Sequence, residues 1–151
     1  KVTACSKKVK TVTVIGSKKQ LKSITIPATV TYRKMKFKVT EISKNAFKKQ
    51  KKLTKVTIGN NVTKIGANAF YGDKKLSKVI IGKNVTNIGA NAFYGDKKLS
   101  KVTIKGKNLK KIGKNAFKKI KKSATFKVPK GKAKAYKNML KKAKTSSYKV
   151  K

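Results

Sequence analysis

The chain has 151 residues, 38% hydrophobic and 31% charged, a size that predicts one domain with a core of its own. Its 44 basic residues face only Glu41, Asp73 and Asp96, giving a formal net charge of +41 without a single histidine. That inventory excludes the usual neutral-pH acid–base groups and any His-based zinc or haem site, so no catalytic residue, metal or cofactor is expected.

Arg33 is the one arginine. Lysine acts as a hydrated point charge, whereas planar bidentate recognition of base edges and phosphates favours arginine, so the charge suits diffuse attraction to an anionic partner. Cys5 stands alone and has no internal disulfide partner. No apolar run reaches the roughly 18 residues of a membrane span, and no signal-peptide core is visible. A start at Lys1 reads as a piece of a longer or processed protein.

In chain order, residues 1–20 form an N-terminal cap in which Val9, Val12 and Val14 alternate with lysine and threonine as a strand. Residues 21–52 are a degenerate repeat that opens on LKSITI and closes on TEISKNAFKKQKK. Between them TVTYRKMKFKV, with Val30 and Tyr32 alternating and then Met35, Phe37 and Val39, predicts an inserted β-hairpin. Residues 53–75 and 76–98 are consecutive 23-residue copies that differ at four positions, and 99–122 is a third copy with one extra residue near Gly106. The segment 123–151 carries a final strand, Ala124–Val128, then an amphipathic helix with Ala133, Tyr136, Leu140 and Ala143 on one face. Tyr148 and Val150 alternate afterwards as a closing strand. The helix could lie on a membrane surface, but its small apolar face without Trp or Phe favours a capping role.

Within a copy, Val56-x-Ile58 has strand period and β-branched chemistry, Val62 to Ile65 a second short strand, and Asn68-Ala69-Phe70 a helical or 3₁₀ turn. Glycines at 59, 66 and 72 punctuate the three sides. One coil cannot bury its apolar residues alone, but stacking superposes Leu53, Leu76 and Leu99, and likewise Phe47, Phe70, Phe93 and Phe117. The expected architecture is a β-rich solenoid of about four 23-residue coils with terminal caps. Repeated asparagines, at Asn45, Asn68, Asn91 and Asn115 and at Asn61, Asn84 and Asn108, are expected to bond turn backbone through their amides.

The pattern L-x-x-V-x-I…V-x-x-I-G-x-N-A-F-x-G, from Leu21 to about Val128, resembles the BspA-like (Treponema pallidum-type) leucine-rich repeat. The tail VPKGKAKAYKNMLKKAKTSSYKVK resembles those that close such arrays in lysine-rich members from Gram-positive gut bacteria. The resemblance implies a leucine-rich-repeat solenoid and a secreted or cell-surface adhesion module. Members of the family usually carry Cys at the place of Gln50, Asp73, Asp96 and Ile120, so here no inference about buried thiols carries over.

One coil separates Asp73 from Asp96, about 5 Å by strand spacing, near the carboxyl separation of retaining glycosidases. Each is followed by two lysines in a YGDKK loop, which reads instead as a turn with local charge relief, and a calcium site would need more oxygen ligands. Binding is better supported. Lys55, Lys78 and Lys101 fall in register on the outward strand face, and Lys74, Lys75, Lys97 and Lys98, after Lys51 and Lys52, follow a loop edge. The expected partner is an anionic polymer such as teichoic acid, or an acidic glycan or protein surface. The alternatives are a passive spacer, whose lysines only keep it soluble, and nucleic-acid binding, for which Tyr71 and Tyr94 are the only stacking pair in view.

Overall fold

The computed structural model describes residues 2–3, 10–17, 19–146 and 148–151. Cys5 and Val9 lie outside the described residues. In order along the chain are β1 (Val2–Thr3), β2 (Thr11–Val14), β3 (Ser23–Ile26), β4 (Thr29–Tyr32), β5 (Met35–Ile42), β6 (Lys55–Ile58), β7 (Lys64–Ile65), β8 (Lys78–Ile81), β9 (Asn87–Ile88), β10 (Lys101–Ile104), β11 (Lys111–Ile112), β12 (Ala124–Lys127), α1 (Ala133–Lys142) and β13 (Tyr148–Val150).

Each repeat places a four-residue strand in one sheet and a two-residue strand in another. The first sheet runs β3-β6-β8-β10-β12-β13, parallel throughout. Its strands alternate inward and outward, so Val56 and Ile58 are buried while Lys55 faces solvent. Six rungs therefore stack here instead of about four coils. The final and closing strands lack the full repeat sequence but pair in register like the repeats, Ala124 and Phe126 with Tyr148 and Val150, so backbone pairing carries the stack beyond the sequence periodicity. The second sheet runs β1-β2-β5-β7-β9-β11, with β4 antiparallel on β5.

The third side is a column of hydrogen-bonded turns, not 3₁₀ helix. Asn45, Asn68, Asn91 and Asn115 sit at φ 60°, 55°, 54° and 60°, the left-handed region that asparagine tolerates better than most residues and that no helix can continue through. Alternate N–H groups then leave the coil: Asn68 N donates to Ala90 O at 3.0 Å and Phe70 N to Ala92 O at 2.8 Å. The repeated asparagines at these four positions thus act through backbone conformation. Side-chain amide bonding between coils occurs at Asn61, whose Nδ2 donates to Ala28 O, and at Asn60, whose Oδ1 accepts from Lys83 N.

Beneath this side, Phe47, Phe70, Phe93 and Phe117 stack at centroid distances of 5.3, 5.1 and 5.1 Å, the column read from the sequence. Phe126 closes it edge-on. Coils this close leave no room for side chains at certain corners: a Cβ on Gly82 would lie 2.3 Å from Gly59 O.

Segments outside the repeats pack on both ends of the second sheet's side of the stack, while β3 and β13 are the terminal strands of the first sheet. Strand β2 lies parallel on β5, burying Val12, and β1 pairs outside it. The inserted hairpin is β4–β5, turned by Arg33 and Lys34 at φ 46° and 62°, both in the sense a two-residue hairpin loop requires. At the other end α1 buries Tyr136 and Leu140, and Ala143 just beyond it, whereas Ala133 is exposed and Met139 shares the packing face in its stead. The Tyr136 hydroxyl donates to Gly106 O at 2.7 Å and accepts from Leu109 N, pinning the turn that holds the third copy's extra residue. Ala143 O accepts from Asn115 N, as the next coil's carbonyl would. The helix end thus satisfies a coil edge that is otherwise open. Among the described residues, no helix is long and apolar enough to cross a membrane.

Candidate anion-binding surface

Parallel in-register pairing brings Lys55 and Lys101 to either side of Lys78 on the outer face of the first sheet. All three are exposed. At strand spacing of about 5 Å, two such charges repel by roughly 0.8 kcal/mol in bulk water, and several-fold more near a protein surface. A concave region of about 640 Å³ on this face also collects Lys121, Lys127 and Lys151. Sequence reading aligned only lysines at matching positions of the repeats, whereas Lys121 lies at the end of the third copy, Lys127 ends β12 and Lys151 follows β13. Continuing the register beyond Leu99, which pairs Thr103 with Lys127, was the signal available.

A second concentration lies along the loop edge. Lys74, Lys75 and Lys97 line a cavity of about 640 Å³ together with Lys51 and the side chains of Tyr71 and Tyr94; Lys98 is exposed but does not line it. The two tyrosine rings stack at 5.2 Å and 7°. Their outer faces are also taken, by Lys48 Nζ at 5.3 Å from the Tyr71 centroid and by Lys119 Nζ at 5.4 Å from that of Tyr94. In this arrangement each ring has its partner ring on one face and a lysine over the other. The Lys119 ammonium is shifted upward chiefly by its hydrogen bond with Tyr94.

The second sheet presents a mixed row. Glu41, Lys64 and Asn87 are in register, and Lys64 Nζ meets Glu41 Oε1 at 2.9 Å, so this face is partly neutralised.

Asp73 and Asp96 are not the exposed charge-relief residues their lysine neighbours imply. Both are fully buried. Asp96 Oδ1 accepts from Asp73 N at 2.8 Å, Asp73 Oδ1 accepts from Gln50 N at 2.7 Å, and Gln50 Oε1 accepts from Leu21 N at 3.3 Å. A side chain in each coil thus satisfies the backbone of the coil before it, in a line running inside the solenoid while Lys74 and Lys75 turn outward. The second oxygen of each carboxyl is buried without a hydrogen-bond partner. Burial pushes the Asp73 carboxyl from 3.8 up to about 8, against the lowering effect of the Gln50 N–H. Asp96 is pushed well above the ordinary range by burial first and by the neighbouring Asp73 second.

Stacked coils with one strand on each of two sides, an N-A-F turn on the third and a continuous core define a leucine-rich-repeat solenoid with a strongly cationic exterior. The BspA type leucine rich repeat region family matches residues 40–151 in six copies, and the chain belongs to that family. Among solved structures, a leucine-rich repeat protein from Bacteroides ovatus is similar at 32% identity and a TM-score of 0.70 over 84% of this chain. The match takes in 35% of that protein, so this chain spans about a third of its length. A leucine-rich repeat protein from Bacteroides capillosus is 27% identical with a TM-score of 0.69, over 80% of this chain and 88% of that one. A leucine rich cell surface protein from Faecalibacterium prausnitzii is 25% identical with a TM-score of 0.55, over 83% of this chain and 42% of that one. None of the curated proteins matches this chain.

Proposed function

We propose that this chain is a non-catalytic binding module of a cell-surface or secreted protein, which holds acidic polymers through aligned rows of lysine. The observation that carries the reading is the in-register alignment of Lys55, Lys78 and Lys101, exposed on a sheet whose rungs repeat like the charges of a polymer. The surface location draws on the family and on the Faecalibacterium prausnitzii relative described as a cell surface protein. Nucleic acid is the weaker partner, because Arg33 is the only arginine and the faces of Tyr71 and Tyr94 are occupied.

Two triple substitutions of equal charge test it. Changing Lys55, Lys78 and Lys101 to Gln, or Lys134, Lys137 and Lys141 on α1 to Gln, lowers the formal charge of +41 by three in each case. Diffuse attraction depends on total charge, whereas an aligned row depends on which charges are lost. The sheet variant is expected to lose more affinity for an acidic polymer across a salt series. Equal losses in the two variants would leave the lysines as solvated surface and favour a passive spacer.

A further inference from the structure

The loop-edge groove has the same volume as the concave region on the first sheet but differs from it in its lining, which adds two tyrosines and two glycines to the lysines. Its floor is Gly72 and Gly95, at φ +75° and +78°, where an added Cβ would meet its nearest neighbours only at 3.7 and 3.9 Å. The same repeat position in the coils on either side is Lys49 and Lys119. They are held at φ 60° and 59°, a backbone conformation that side-chain-bearing residues adopt at a cost, while glycine adopts it freely. The correspondence is fixed by backbone bonding: Lys49 N donates to Tyr71 O as Gly72 N donates to Tyr94 O, each into the next coil. Two strained lysines therefore close the ends of a floor made of bare backbone, and the paired tyrosines form its wall. Strain of this kind is maintained where surrounding structure or function requires it.

From this geometry we infer that the cavity between Lys49 and Lys119 is a saturable site for a short, multiply charged acidic saccharide, sulfated or carboxylated. The inference rests on the polymer-binding reading above and names the part of the polymer that is gripped. A volume of about 640 Å³ is that of a small-molecule pocket. Six lysines line it and supply charge, and the tyrosine side chains with the glycine Cα atoms supply apolar surface against which a saccharide ring can pack. A bare polyphosphate would use the first of these alone. A nucleotide would have to displace Lys48 or Lys119 to reach an outer ring face.

The test is a titration of the whole chain with a trisulfated heparin-type disaccharide, cellobiose, tripolyphosphate and ATP, followed by NMR of the tyrosine rings and glycine amides. Saturable shifts centred on Tyr71, Tyr94, Gly72 and Gly95 are expected with the sulfated disaccharide and not with cellobiose. The double variant Lys49→Gly/Lys119→Gly is expected to bind it about tenfold more weakly or worse, through loss of charge-assisted contacts, while melting at a higher temperature as backbone strain is released. The charge-matched variant Lys134→Gln/Lys137→Gln is expected to keep its affinity for the disaccharide, whereas diffuse attraction would weaken both double variants equally and overturn the assignment. Undiminished binding in the glycine double variant, shifts spread over the lysine surface without saturation, or tripolyphosphate or ATP binding as tightly as the disaccharide would overturn the assignment. If the glycine double variant retains full affinity for a long acidic polymer, only this inference falls; if the unaltered chain binds no acidic polymer, the proposed function falls with it.

Discussion

Replacing Asp73 and Asp96 together with Asn tests whether the interior line of carboxyls is real. Each Asn keeps an oxygen to accept the N–H of the preceding coil and removes the ionisable group. In the folded chain the Asp73 carboxyl is raised from 3.8 to about 8, so folding favours its neutral form. The corresponding stability is complete below about pH 3.8, declines as pH rises toward 8, and is flat above. For Asp73 alone the decline is on the order of 5 kcal/mol, and Asp96 shifts in the same direction. The composition makes the measurement clean, because the chain has no histidine and Glu41 is its only other carboxylate side chain. Urea unfolding at fixed ionic strength, at steps from pH 4 to 8, is expected to show the unaltered chain weakening with pH. The double Asn variant should show a much flatter profile and greater stability near pH 8. An unaltered chain as stable at pH 8 as at pH 5 would mean that water or a counter-ion reaches these carboxyls and that their burial is wrong.

Phe93→Ala removes the middle of the stacked phenylalanine column and should cost roughly 3–5 kcal/mol in thermal or urea unfolding; a loss under about 1 kcal/mol would contradict the register. Tyr136→Phe keeps the buried ring but leaves Gly106 O and Leu109 N without the hydroxyl, at a cost of about 1–3 kcal/mol. Hydrogen exchange in that variant should accelerate at residues 105–110 before it does in the central coils.

Much of the fold was legible because the repeat writes each structural position three times over. Phe70, Phe93 and Phe117 announce a column whatever the local propensities, and the alternation in Val56-x-Ile58 fixes which face is inward. What the sequence concealed were features set by the neighbouring coil. Asp73 beside Lys74 and Lys75 reads as surface, yet stacking brings it beneath the N–H of Gln50, a contact between residues 23 positions apart. Asn68 reads as an amide donor because its left-handed φ has no signature apart from asparagine's tolerance for it. Of the candidate surface, the alignment of Lys55, Lys78 and Lys101 followed from the period alone, whereas the end lysines of the loop-edge cavity, Lys49 and Lys119, emerged only once their backbone matched that of Gly72 and Gly95.

The central claim, that aligned lysines hold acidic polymers, is tested most directly by measuring affinity for three polymers over a range of salt concentration. These are a sulfated glycan, a teichoic-type polyphosphate of matched charge density and a neutral glycan. Counter-ion release predicts a linear fall of log affinity with log salt for both acidic polymers, and aligned rows predict that the two differ in affinity at every salt concentration, while the neutral glycan does not bind. Weak binding that is identical for the two acidic polymers, or that ignores salt, would contradict the account.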